Sequence, residues 1–207
     1  MAGWTREQVK QMLGSSSASI VIPVNREIRF EQRILNFAAV EQLLKKTKTI
    51  ASGECGCRKK LKNCDHTLEG CLFLSDWGER AIKEGYAQPV SLAQALETLK
   101  RTFDEGLVLI AGTEDPPVKI CSCCTCCCFV MAGLQQYRME NSLVGSGYAV
   151  RLDENLCDGC LECVPRCRFQ ALTAENGAVK LDSNRCFGCG LCTGKCPGGA
   201  LTLAAKE

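Results

Sequence analysis

Two stretches near the end of the chain hold cysteines at a spacing suited to metal–sulfur chemistry. Residues 150–174 read VRLDENLCDGCLECVPRCRFQALTA, and residues 179–203 read VKLDSNRCFGCGLCTGKCPGGALTL. At a shift of 29 residues they align without a gap. All four cysteines stay in register, as do Val150/Val179, Leu152/Leu181, Asp153/Asp182, Asn155/Asn184 and the Ala-Leu-Thr triplets 171–173 and 200–202. Each copy has the spacing C-x2-C-x2-C-x3-C, and a repeat that preserves eight cysteines marks a duplicated unit. A cubic iron–sulfur cluster takes four thiolates at tetrahedrally disposed corners. Three cysteines at intervals of three wrap one side of such a cube, because the loop curls and turns successive side chains inward. The fourth opens a short helix that points it toward the other copy's cluster. The expected ligand sets are Cys157, Cys160, Cys163 and Cys196 for one [4Fe–4S] cluster, and Cys186, Cys189, Cys192 and Cys167 for the second.

This half resembles bacterial-type two-cluster ferredoxins over residues 148–207, in which the fourth cysteine of each run ligates the other cluster. The second copy keeps the Cys196-Pro197 pair of that family, whereas the first has Cys167-Arg168, with its proline displaced to Pro165. Spacing survives the change, and a cationic donor at Arg168 would raise the potential of a neighbouring cluster. A structural zinc site needs only two C-x2-C pairs and leaves the third and fourth cysteines of each run unexplained.

The sequence holds 18 cysteines, so ten lie outside the repeat. Cys55, Cys57, Cys64 and Cys71 form one group, the best local quartet for a third cluster. The other group is CSCCTCCC, with Cys121, Cys123, Cys124, Cys126, Cys127 and Cys128 inside eight positions. Adjacent side chains diverge in any regular backbone, so this run must split. Some of its sulfurs go to a fourth cluster or swap into the third, and others, with Cys127 and Cys128 as candidates, pack as small buried hydrophobes. Zinc ligation and a reactive, substrate-facing centre are the competing readings of these ten. The whole chain also resembles a group of cysteine-rich 4Fe–4S binding proteins of anaerobic bacteria and archaea, which pair a C-x-C-R element (Cys55–Arg58) and a C-x-C-C-x-C-C-C element (121–128) with a C-terminal ferredoxin module. That resemblance implies a redox protein and brings no particular reaction with it.

Composition narrows the classes. No signal-peptide pattern or run of about 20 apolar residues is visible, so a cytoplasmic protein with no membrane span is expected, in which dense cysteine means metal rather than disulfide. A single histidine, His66, argues against Cys/His zinc fingers. With 25 basic and 23 acidic residues, nothing points to nucleic acid. No residue is placed as a catalytic acid, base or nucleophile, and no glycine loop fits a nucleotide.

The elements that must position these thiols read as α+β. Residues 1–19 are expected to be a flexible leader, 20–144 a mainly helical cysteine-rich domain and 148–207 a ferredoxin-like domain with duplicated, pseudo-twofold halves. Helices are expected near Phe30–Lys46, at Glu79–Lys83 behind an Asp76/Glu79 capping box, and after a Ser91/Gln94 capping box. Leu107–Ala111 reads as a buried strand, and short strands flank the repeat, with Asn176-Gly177 as a hairpin turn. Arg58 either pairs with an anionic cluster or lies in solvent. The expected function is low-potential, one-electron transfer between partner oxidoreductases, alone or as a subunit. The alternatives are an oxidoreductase whose N-terminal centre is catalytic and a redox sensor.

Overall fold

The computed structural model describes residues 3–14, 19–22, 37–112, 114, 116–139 and 142–206. In chain order its elements are α1 (Arg6–Gly14), β1 (Ser19–Ile22), α2 (Phe37–Lys46), β2 (Ile50–Glu54), α3 (Gly56–Leu61), β3 (Glu69–Leu74), α4 (Ser75–Lys83), β4 (Ala87–Pro89), α5 (Leu92–Asp104), β5 (Val108–Ala111), β6 (Lys119–Cys123), α6 (Phe129–Gln135), β7 (Leu143–Val144), β8 (Tyr148–Leu152), α7 (Cys163–Arg166), β9 (Leu172–Glu175), β10 (Ala178–Leu181) and β11 (Leu201–Ala205).

The N-terminal part is not mainly helical. Its centre is a seven-stranded sheet in the order β4-β2-β3-β6-β5-β1-β7, antiparallel throughout except for the β1–β7 pair. The strands are hard to recognise in the sequence because they are short and carry cysteine, glycine and serine in place of the β-branched runs that announce a strand.

Side-chain alternation gives the sheet two different faces. Leu72, Leu74, Leu109, Ala111 and Ile120 point one way, where α2 and α5 cover them with Val40, Leu44, Ala95 and Leu99. Val108, Ile110 and Cys123 point the other way, against Val130 and Met131 of α6. Cys71 and Phe73 join Cys55, Ala51 and Ala81 in a third buried group. The thiols of β3 and β6 therefore lie on the side away from α5.

Helix α5 has its capping box, with Ser91 Oγ accepting from the Gln94 backbone N–H and the Gln94 side chain accepting from the Ser91 N–H. The box expected at Asp76/Glu79 does not form. Helix α4 begins at Ser75 without a side-chain cap, and Glu79 instead pairs with Lys48 and accepts from the Thr49 hydroxyl. The early helix is described from Phe37, so the part expected from Phe30 lies outside the described residues. Residues of the supposed leader form α1, whose Val9 is buried together with Trp4.

Beyond residue 147 the chain makes two small antiparallel ribbons, β8 with β11 and β9 with β10. The β9–β10 turn is Asn176-Gly177, with φ of 52° and 79°, the two positive values that a type I′ hairpin requires. Gly188 is a second glycine that the backbone demands. Its φ is +69°, and a Cβ there would run into the Tyr148 carbonyl oxygen and Ser146 Oγ. Gly188→Ala is expected to lower the apparent stability by more than the roughly 1–3 kcal/mol of backbone strain alone, because β8 must also shift. A wild-type unfolding midpoint and iron content in that variant would contradict this.

Candidate metal centres

The C-terminal ribbons hold two pockets, each lined by residues of both repeats. One pocket is lined by Cys157, Cys160, Cys163 and Cys196, with Leu152, Val179 and Leu201 behind them. The other is lined by Cys186, Cys189, Cys192 and Cys167, with Val150, Phe187 and Leu191. In each case the fourth cysteine comes from the opposite repeat. Burial first, and neighbouring sulfurs second, push Cys189 up to about 12 and raise Cys163 beside Cys160, Cys196 and Cys157. Four thiols crowded against apolar walls are a donor set that a cationic iron core suits. Backbone amides already face sulfur, with Val150 N–H donating to Cys186 Sγ at 3.4 Å and Ala171 N–H to Cys167 Sγ at 3.1 Å. Cys160 is the exposed member of the eight.

Arg168 Nε donates to the Gly106 carbonyl at 2.8 Å, fastening the ribbons to the turn between α5 and β5. The cation at the second pocket is Arg166, which lines it and donates to the carbonyls of Leu191, Asp104 and Phe103 at 3.0, 3.3 and 3.0 Å. Burial, and then Arg168 nearby, lowers its pKa.

The ten N-terminal cysteines sort differently from their order in sequence. Cys71 on β3 and Cys121 on β6 are cross-strand partners, and Cys123 shares the face of Cys121. Cys55 precedes α3 and Cys57 lies in its first turn, while Cys128 caps α6. These six thiols neighbour one another in a ring running Cys55–Cys71–Cys121–Cys123–Cys128–Cys57 and back to Cys55. Each of the six thiols has its titration shifted chiefly by its two ring neighbours. The other four meet elsewhere: Cys64 Sγ lies 4.0 Å from Cys124 Sγ and 3.8 Å from Cys127 Sγ, and Cys126 completes the group. The expected quartet of Cys55, Cys57, Cys64 and Cys71 is thus divided, with Cys64 in the second group.

Two cations lie against the ring: Arg58, which the sequence leaves between a cluster partner and a solvated side chain, and Lys119, which it does not mark. Arg58 is 1% exposed. Its Nε donates to the Thr67 carbonyl at 2.8 Å and its Nη1 to the Ser122 carbonyl at 2.7 Å. Nη2 is buried without a hydrogen-bond partner. Burial opposes its charge, but the sulfurs of Cys55, Cys124 and Cys71 outweigh that and raise its pKa. Lys119 is likewise raised, chiefly by Cys121, with its ammonium over Phe73 and Trp77. His66 sits 3.5 Å from Glu105.

Among known families, the 4Fe–4S dicluster domain matches residues 156–201. The C-terminal part is thus similar to an iron–sulfur, ferredoxin-type domain. No curated protein matches the chain. No helix among the described residues is long and apolar enough to cross a membrane.

Proposed function

We propose that the chain is an electron-transfer protein that holds two [4Fe–4S] clusters in its C-terminal ribbons, through Cys157, Cys160, Cys163 and Cys196 and through Cys186, Cys189, Cys192 and Cys167, and relays single electrons between oxidoreductases. When bound, such a cluster takes up and releases one electron. The carrying observation is the pair of pockets, each lined by three cysteines of one repeat and the fourth of the other.

The six-thiol ring is the place for a further iron–sulfur centre, since six thiolates exceed the four that a single cube takes. It shares one apolar cluster with the second pocket: Cys121, Cys123 and Cys128 pack with Phe169, Phe187, Leu191 and Cys189. The Phe169 and Phe187 rings stack there at 4.5 Å. The first pocket, with Cys160 at the surface, then faces a partner. The relay order is ring, second pocket, first pocket, partner. Iron and sulfide counts with EPR of the reduced protein test this. Two spin-coupled cubic clusters in the ribbons are the expected result, and zinc in their place would end the reading.

Arg166 sets a further expectation. Its positive charge at the second pocket favours the reduced state, so Arg166→Gln should lower the midpoint potential of that site, with Arg166→Lys close to wild type. Arg168→Gln should change it less. A potentiometric EPR titration decides, and a larger effect at Arg168 would contradict the assignment.

A further inference from the structure

The group Cys64, Cys124, Cys126 and Cys127 differs from every other thiol site in scale. Its four Sγ atoms all lie within 4.8 Å of one another, and among the described residues no other three His, Cys, Asp or Glu ligand atoms lie so close together. A tetrahedral ion with metal–sulfur bonds of about 2.3 Å sets its ligand sulfurs about 3.8 Å apart. The measured separations of Cys64 from Cys127 and Cys124 are 3.8 and 4.0 Å. A cube would hold the four thiolates much further apart, because its own irons and sulfides stand between them. In the two C-terminal pockets no three sulfurs lie within 4.8 Å of one another.

We propose that Cys64, Cys124, Cys126 and Cys127 bind one thiophilic divalent ion, zinc or mononuclear iron, in a closed tetrathiolate site. The surroundings suit such an ion. The backbone N–H of His66 faces Cys64 Sγ, and that of Asn63 faces Cys127 Sγ. The Asn63 side-chain amide donates to the Cys126 carbonyl at 3.0 Å, and the Trp4 indole N–H donates to the Cys127 carbonyl at 2.7 Å. Cys124 and Cys127 are buried at 3% and 1% exposure. Four protein ligands leave no open position, which is the pattern of a structural site. The ion would clip the loop after α3 to the turn after β6; α3 itself carries Cys57, and the residue after that turn is Cys128, both of the ring. The proposal stands apart from the electron-transfer reading, since no residue is shared with the C-terminal pockets.

The test is metal and acid-labile sulfide content of the full chain, prepared anaerobically, for wild type and for C64S/C126S. Wild type should carry about one zinc, or one iron in excess of sulfide, per chain. The double variant should lose that ion at least tenfold with sulfide unchanged. A variant that loses four irons and four sulfides, or that keeps the ion, would overturn the proposal. X-ray absorption of wild type covers the case in which the variant does not accumulate. Four sulfurs at about 2.3 Å around zinc or sulfide-free iron support the site. Wild type with neither zinc nor iron beyond sulfide refutes it. Growth in zinc-rich or iron-rich medium shows which ion is taken.

Discussion

Cys196→Ala is expected to disturb the metal site of the first repeat and leave that of its own repeat intact. Cys196 belongs to the second repeat by sequence, yet it lines the pocket with Cys157, Cys160 and Cys163. Cys167, from the first repeat, lines the other pocket with Cys186, Cys189 and Cys192. Without Cys196 the first pocket keeps three thiolates, and iron should fall by between about one and four atoms per chain as the cluster loses an iron or is lost outright. Which pocket is affected follows from pairing the substitution with others. Residues that act on one site are non-additive, whereas residues on separate sites add. C196A/C163A should therefore lose little more iron than the heavier of its single variants, while C196A/C192A should lose iron from both pockets. EPR of the reduced proteins should show spin coupling between two clusters in wild type and an uncoupled signal in Cys196→Ala. Additive iron loss in C196A/C163A with non-additive loss in C196A/C192A would mean that each repeat keeps its own fourth cysteine.

The grouping of these eight thiols is legible in the sequence, and the reason is local. In the repeat, the placement of the thiols around the two pockets is written in intervals of three or four residues, with Gly188, Asn176-Gly177 and the Ala-Leu-Thr strands placed around it. The N-terminal cysteines are different. Cys71 and Cys121 are 50 residues apart in sequence and meet only because β3 and β6 are neighbours in the sheet. Whether Cys123 joins them while Cys124 does not depends on where β6 ends. Strand alternation puts Cys121 and Cys123 on one face, and Ser122 on the other, where its hydroxyl donates to Thr102 Oγ1 at 2.8 Å. Past Cys123 the chain turns, sending Cys124, Cys126 and Cys127 to Cys64 before Cys128 returns at the start of α6. A reading that treats cysteines only as ligands does not see them as strand residues, so the sheet escapes it along with the partition. The same blindness leaves Arg58 between two roles, since nothing in CGCR tells a buried guanidinium from a solvated one.

Arg58→Ala should be among the most destabilising single substitutions in the N-terminal part, by about 3–5 kcal/mol, the range for removing one member of a buried charged set. Three losses coincide at this position. The carbonyls of Thr67 and Ser122 lose their donors, and a buried acceptor left unsatisfied costs about 1–3 kcal/mol. A side chain of 1% exposure leaves a cavity behind. The thiolates at Cys55, Cys71 and Cys124 lose the cation that offsets their mutual repulsion. Arg58→Met separates these terms, because it fills much of the volume while restoring neither the charge nor the hydrogen bonds. Arg58→Lys restores the charge alone, since one ammonium on a shorter reach does not match a guanidinium fork that bonds Thr67 on one side and Ser122 on the other. The expected order of apparent stability is wild type, then Lys, then Met, then Ala. Urea midpoints measured anaerobically at equal metal loading report it, because bound metal shifts stability by mass action and must be held constant. An alanine variant within about 1 kcal/mol of wild type would place the guanidinium in solvent, and a methionine variant as stable as wild type would mean that packing alone matters at this position.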